Sequence, residues 1–394
     1  MVYVLWQFFL LGLYSFGGPA AHIGYFHREF VQNKKWLTEQ DFTQAVALCQ
    51  FLPGPASSQL GMYIGYRRSG YLGAIAAFVG FTTPSFLLLT FLAIGNQHYQ
   101  NVPVVETVIQ AAKLLAVIVV ADALWGMVKK NLTTRLTGMI AILSGFAVML
   151  TTGLLGQVMP IILAAILGYI VSVKRQASTS LSHAPESIYT DTQNIRPHWG
   201  IAAVFAAGLL LLPVLAASSA WLNLFNVFYQ AGSFVFGGGH VVLPLLEPML
   251  QGMVTADTFL SAYASAQLVP GPMFTMASYL GASVMDTSPI AGSLIATIAI
   301  FLPGSLLLFA FLPAWNALVS HPKLKESISF VNAAVVGLLA SAFISPVISS
   351  SVITVLDVFA VVFGLYLLKW RHVPVWGLII LLFAYQWVMN YILM

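Results

Sequence analysis

The sequence predicts an all-α polytopic membrane protein made of two inverted structural repeats, with broken and re-entrant helices meeting near the bilayer midplane. Three observations predict it. Apolar runs of spanning length recur along the whole chain, the second half repeats the first, and an excess of Lys and Arg alternates between the two copies.

Of 394 residues, 59% are hydrophobic and 7% charged, whereas a soluble domain carries roughly 25% charged residues. Crossing a bilayer takes about 20 apolar residues. Such runs include Leu114 to Val128, Ile201 to Leu215 with its flanks, and Val373 to Leu393. Residues 1 to 27 contain no Lys or Arg, hence no basic n-region of a signal peptide, and the first segment is expected to stay in the mature protein. The single cysteine, Cys49, excludes an internal disulfide and a cysteine-based metal cluster. No metal or cofactor is expected. The net charge of +4 lies in short loops, which argues against a nucleic-acid partner.

The elements follow in order. The N-terminal repeat, 1–173, has a broken segment at 3–31, a re-entrant hairpin at 38–66 and then four spans. A Ser-, Thr- and Pro-rich cytoplasmic linker fills 174–198, and a connecting span occupies 199–219. The C-terminal repeat, 220–394, has a broken segment at 222–250, a hairpin at 255–283 and four more spans. The internal repetition is direct. A shift of 220 lays "GLYSFGG" (12 to 18) on "GSFVFGG" (232 to 238), and a shift of 217 lays Thr38, Phe42, Gln50 and Pro53-Gly54-Pro55 on Thr255, Phe259, Gln267 and Pro270-Gly271-Pro272.

Charge sets the orientation. Arg28, Lys34, Lys35, Arg67 and Arg68 lie in loops of the first copy whose counterparts hold Glu247, Asp257 and Asp286 instead. Later loops reverse the pattern: 96–106 has no Lys or Arg while its counterpart has Lys323 and Lys325, and Lys129, Lys130 and Arg135 face a counterpart with none. Because Lys and Arg mark cytoplasmic loops, the copies are expected to be inverted. Residues 28–35, 67–68, 129–135, 174–197, 321–325 and 369–371 are then cytoplasmic, with 245–258, 284–289 and the C-terminus outside.

This orientation explains the helix breakers. A segment that enters and leaves on one side must turn inside the membrane. Thr38 starts a helix with Asp41 three residues on, Pro53 ends it, Gly54 turns, and Pro55 opens the next helix. Phe16-Gly17-Gly18-Pro19 and Phe236-Gly237-Gly238-Gly239-His240 break the first segment of each copy. Non-helical backbone at this depth needs a protein or water lining, so the four breaks are expected to surround one cavity.

A half-helix N-terminus offers unpaired N–H groups and a positive dipole end, a site for an anion. Candidate substrate-binding residues are Gly17, Gly18, Pro19, His22, Gln50, Pro53, Gly54, Pro55, Ser57, Ser58, Lys113, Gly238, Gly239, His240, Gln267, Pro270, Gly271, Pro272 and Thr275. The N–H groups at Gly54 and Gly271 are expected to face the ligand. Lys113 is a cation inside a span, a functional candidate by default; its plain alternatives are snorkelling or pairing with Asp122. Each hydroxyl has the alternative of bonding its own helix. The histidines have that of satisfying buried carbonyls, the two Gln that of capping their turns.

The ordered blocks "FGGP…H", "QFLPGP", "FGGGHVVLP" and "QLVPGP" resemble the chromate ion transporter family in its long two-domain form, over nearly the whole chain. The resemblance implies export of chromate, a tetrahedral dianion, by a multi-pass protein of the cytoplasmic membrane of a prokaryote. Its motif residues fall on Gly17, Gly18, Pro19, Gln50, Pro53, Gly54, Pro55, Gly238, Gly239, His240, Pro244, Gln267, Pro270, Gly271 and Pro272. Gly239-His240 stands where the first copy has Pro19-Ala20, so the copies need not contribute equally. Sulfate or another oxyanion, carried or passed through a channel, would suit the same site. The partners expected are the oxyanion and membrane lipid, with a homodimer left open. An intramembrane enzyme would need a nucleophile with a base, a metal cluster or a carboxylate pair in a span, and none is evident.

Overall fold

The computed structural model describes residues 1–99, 103–151, 154–179, 196–236, 239–314 and 322–393. Gly237, Gly238 and most of the 174–198 linker lie outside them. Among the described residues the chain is helical and forms no strand. Among these residues, six helices are long and apolar enough to cross a membrane. The protein is an all-α polytopic membrane protein.

Helix α1 (Val2–Tyr14) ends at Ser15, and α2 (Gly18–Phe26) restarts the chain after Gly17, which has φ +99°. A π-helical turn, His27–Asn33, leads to α3 (Glu39–Phe51). The Thr38 hydroxyl accepts the Asp41 N–H at 3.1 Å, the cap expected from the sequence. Helix α3 stops at Leu52, and the chain turns through Pro53-Gly54-Pro55 into α4 (Ala56–Tyr99). Helix α4 bends at Ser69 and Gly70 into segments 56–68 and 71–99. Then come α5 (Pro103–Asn131), α6 (Arg135–Leu150) and α7 (Leu154–Thr179).

Helix α8 (Trp199–Leu215) buries none of its residues and presents Leu210, Leu211 and Val214 outward, the composition of a lipid-facing span. Two side-chain hydrogen bonds, from Tyr229 to the Phe205 carbonyl and from Gln230 to that of Leu209, tie it to α9 (Ala220–Phe234). After the second break come α10 (Val242–Leu246), α11 (Ala256–Leu268), α12 (Met276–Val284) and α13 (Pro289–Phe311). Helices α14 (Pro322–Ala342), α15 (Val355–Trp370) and α16 (Val375–Leu393) complete the chain.

The late helices pack across the halves. Helix α5 packs against α15 and α16, while α14 packs against α6 and α7. Gly337 and Gly145 let α14 and α6 approach at backbone distance: a Cβ on Gly337 would lie 2.0 Å from the Ala141 carbonyl oxygen. Small residues allow such contact where apolar side chains alone have no drive to associate.

The two turn-bearing hairpins sit differently. Helix α11 packs against α5 and buries seven of its 13 residues, whereas α3 packs mainly on α4 and the π-helical turn and buries four of its 13. The open face of α3 carries Thr43, Gln44, Ala47 and Gln50, all exposed. Three of these four are polar, which suits water rather than hydrocarbon.

Candidate functional site

The Pro-Gly-Pro turns are held by the opposite half. The Gly54 N–H donates to the Val235 carbonyl at 2.7 Å, and the Gly271 N–H donates to the Ser15 carbonyl at 2.9 Å. Ser15 and Val235 are the C-caps of α1 and α9, so each turn docks on the break that ends the other half's first helix. Both glycines need positive φ, +116° and +107°. Gln59 locks the first turn further, its Nε2 donating to the carbonyls of Pro53 at 3.0 Å and Gly304 at 2.9 Å.

This corrects one expectation. The glycine N–H groups are already donated to protein carbonyls and do not point at a ligand. The donors at the first turn lie one step later. The first backbone bond of α4 runs from Gln59 N–H to the Pro55 carbonyl, which leaves the N–H groups of Ala56, Ser57 and Ser58 without an intrahelical acceptor. Ser57 and Ser58 are buried, and the Ser58 hydroxyl has no protein partner among the described residues. The second turn differs: a 3-10 turn, Met273–Thr275, precedes α12, and the Thr275 hydroxyl donates to the Pro272 carbonyl. Thr275 thus caps its own turn. Gln267 donates to the Met273 sulfur at 3.1 Å, whereas Gln50 stands exposed at the C-terminal end of the polar face of α3.

At the first break Gly17 is exposed, with Gly18 and Pro19 half-buried at the start of α2. His22 is buried, and its Nε2 donates to the Ser15 carbonyl at 3.1 Å. Its Nδ1 is then a lone pair without a partner among the described residues, and offers a donor to an anion only when the ring is protonated. At the second break Gly239 is buried in a 3-10 turn, and His240 Nδ1 lies 2.6 Å from the Tyr263 hydroxyl. Gly238 falls outside the described residues.

Lys113 belongs to a separate feature. It lines a polar cavity of about 830 Å³ together with Asn96 from α4, Glu106 from α5, Asp257 from α11, Asp357 from α15 and Asn390 from α16. Its ammonium contacts the Asp257 carboxylate at 2.6 Å. Asp122, the partner considered from the sequence, pairs instead with Lys369 at 3.1 Å. Lys113 is 13% exposed and Asp257 66%. Lys113 lies within the candidate span Val104–Asn131. Apart from Lys113, the residues that line the cavity include no Lys or Arg. At positions far from it in sequence, Lys34 pairs with Glu29, and Arg68 stacks on Trp36.

Sequence reasoning missed Gln59, Asp257 and Asp357. Asp357 is buried where its oxygens accept the N–H groups of Ile353 and Thr354 and the Tyr385 hydroxyl. Asp257 reads in the sequence as a loop charge and as the start of a helix, and nothing local marks its partner 144 residues away.

The family whose model is described as "Chromate transporter" matches residues 2–170 and 222–387. The chain is 30% identical to a chromate transport protein of Cupriavidus metallidurans, over 86% of this chain and 80% of that protein. It is 27% identical to a probable chromate transport protein of Synechococcus elongatus, over 86% of this chain and 83% of the relative. An uncharacterized transporter of Methanocaldococcus jannaschii is also 27% identical, over 86% and 82%. No solved structure matches the chain.

Proposed function

The chain belongs to the chromate transporter family, and from that premise we propose that it is a secondary transporter that exports chromate across the cytoplasmic membrane. The observation that carries this reading is Lys113, a nearly buried cation inside a candidate span, lining a polar cavity. A cation in that position attracts a dianion over a longer range than backbone dipoles do. The N–H groups of Ala56, Ser57 and Ser58, with the Ser58 hydroxyl, form a second station for the anion at the first turn.

In this reading the halves are inverted repeats, and the cavity at Lys113 opens outward, since the residues of 255–261 and 350–357 that line it include no Lys or Arg. The two family-model segments and the reciprocal Gly54–Val235 and Gly271–Ser15 bonds support it. So does the unequal packing of the two hairpins. With α11 seated on α5 and the polar face of α3 open, the two hairpins hold one of two alternating arrangements. The other state seats α3 on α14. Moving a dianion out of a cell that is negative inside gains about 4.6 kcal/mol per 100 mV, worth a gradient of about two-thousandfold. Membrane potential alone then suffices.

The test is uptake into everted vesicles under imposed potentials, comparing chromate, sulfate and phosphate. Saturable chromate uptake that grows with an interior-positive potential is expected. Uptake equal to that of vesicles lacking the protein would overturn the reading, and sulfate uptake surpassing that of chromate would reassign the substrate.

A further inference from the structure

We propose that Asp257 is a tethered counter-ion that takes the substrate's place on Lys113 whenever the carrier is empty, so that the unloaded protein can complete its return step. The inference rests on the reading above, in which Lys113 meets the anion. The Lys113 side chain is 13% exposed, and its ammonium sits 2.6 Å from the carboxylate of Asp257, whose side chain is 66% exposed. That asymmetry matters. A nearly buried ammonium without a partner is costly to hold, and more so while the protein rearranges around it. A carboxylate at the open side of the cavity can leave for water at little cost, and a dianion at the same distance attracts the ammonium more strongly than a monoanion does.

The other charged groups of the cavity do not serve. Glu106, on the same helix as Lys113, is engaged by Gln110 at 3.4 Å. Asp357 is buried, and backbone N–H groups and the Tyr385 hydroxyl hold its oxygens. The residues that α16 adds to the lining, Gln386, Met389 and Asn390, are uncharged, as are Ser350, Ser351 and Thr354 before and at the start of α15. Asp257 is the carboxylate that is both exposed and in contact with Lys113. It also sits in the first turn of α11, the helix that packs against α5.

A consequence follows for the mode of transport. With Asp257 present, the empty carrier returns with Lys113 neutralised, and net export proceeds without an exchanged anion. Without it, only the loaded carrier crosses readily, and the protein becomes an exchanger. Wild type, Asp257→Asn, Asp257→Glu and Lys113→Ala are reconstituted into proteoliposomes, and net chromate efflux is compared with chromate–chromate counterflow. Asp257→Asn is expected to keep counterflow within about twofold while net efflux falls about tenfold or more, the sign of a bare ammonium on the return step. Asp257→Glu is expected to keep both. Equal changes in the two assays for Asp257→Asn, including no change in either, would overturn the proposal. Lys113→Ala separates the two readings. Wild-type fluxes in that variant would overturn the anion-binding role of Lys113 itself, whereas their loss beside an unaltered Asp257→Asn would overturn the counter-ion alone.

Discussion

Alanine in place of Gly54 or Gly271 tests how the turns are held. A Cβ on Gly54 would lie 2.8 Å from the Gly304 Cα, a backbone atom that cannot step aside, and on Gly271 it would lie 2.8 Å from the Ser85 Oγ. Both residues have φ well inside the positive region, +116° and +107°. Forcing a side chain into such a conformation costs about 1–3 kcal/mol, and the overlap adds about 1–3 kcal/mol. Each substitution should therefore disfavour the native turn by about 2–6 kcal/mol. The two sites differ in what can relieve them. Ser85→Gly removes the overlap at Gly271 and should return about 1–3 kcal/mol to Gly271→Ala. At Gly54 the neighbour is already a glycine, so no such relief exists. Thermal unfolding of purified protein, read by a thiol-reactive dye on the buried Cys49, measures the cost, and chromate efflux measures its functional effect. Membrane insertion should be unaffected, because the apolar spans are unchanged. A Gly54→Ala protein with wild-type stability and flux would show that the turn tolerates a side chain there, and Ser85→Gly making Gly271→Ala worse would show that the Ser85 side chain is not the source of the overlap.

Cysteines introduced at Ser69 and Asp286 in a Cys49→Ser background should react with impermeant reagents from opposite sides of the membrane; reaction from one side would end the inverted-repeat reading. Ser58→Ala should weaken chromate binding by about 1 kcal/mol, about fivefold, with little change in stability, as measured by equilibrium binding. Thr275→Ala should do the reverse, losing about 1 kcal/mol of stability with binding intact, because its hydroxyl is spent on the Pro272 carbonyl. Burial works against charge on Glu29, yet hydrogen bonds from Asn33 and Lys34 outweigh it and hold its carboxyl below the usual carboxylate range. Its stabilising effect is therefore present at neutral pH and lost as pH falls through that depressed titration. The melting temperatures of wild type and Glu29→Gln should differ at neutral pH and converge in acid.

The spans and breaks were legible because each is written locally. Apolar runs give the helices, and Pro53-Gly54-Pro55 stops one helix and starts another wherever it is placed. Thr38 announces its cap through Asp41 three residues on. The partners were not legible. Local sequence shows that Gly54 has an N–H free of its helix, but not that Val235, from the other half, accepts it. The packing of α5 with α15 and α16, and of α14 with α6 and α7, left no trace in composition because apolar faces in a membrane protein resemble one another. Lys113 was visible as an ion within a span. Its partner was hidden because Asp257 also serves as an ordinary first-turn acid of α11.

The most direct measurement is the transient current evoked by a chromate concentration jump on proteoliposomes adsorbed to a solid-supported membrane, compared between wild type, Lys113→Ala and Lys113→Arg. A saturable displacement of negative charge is expected in wild type, a reduced one with arginine, which keeps the charge but not the shape, and none with alanine. A Lys113→Ala protein that is correctly inserted and gives the wild-type current would contradict the anion-binding role of Lys113.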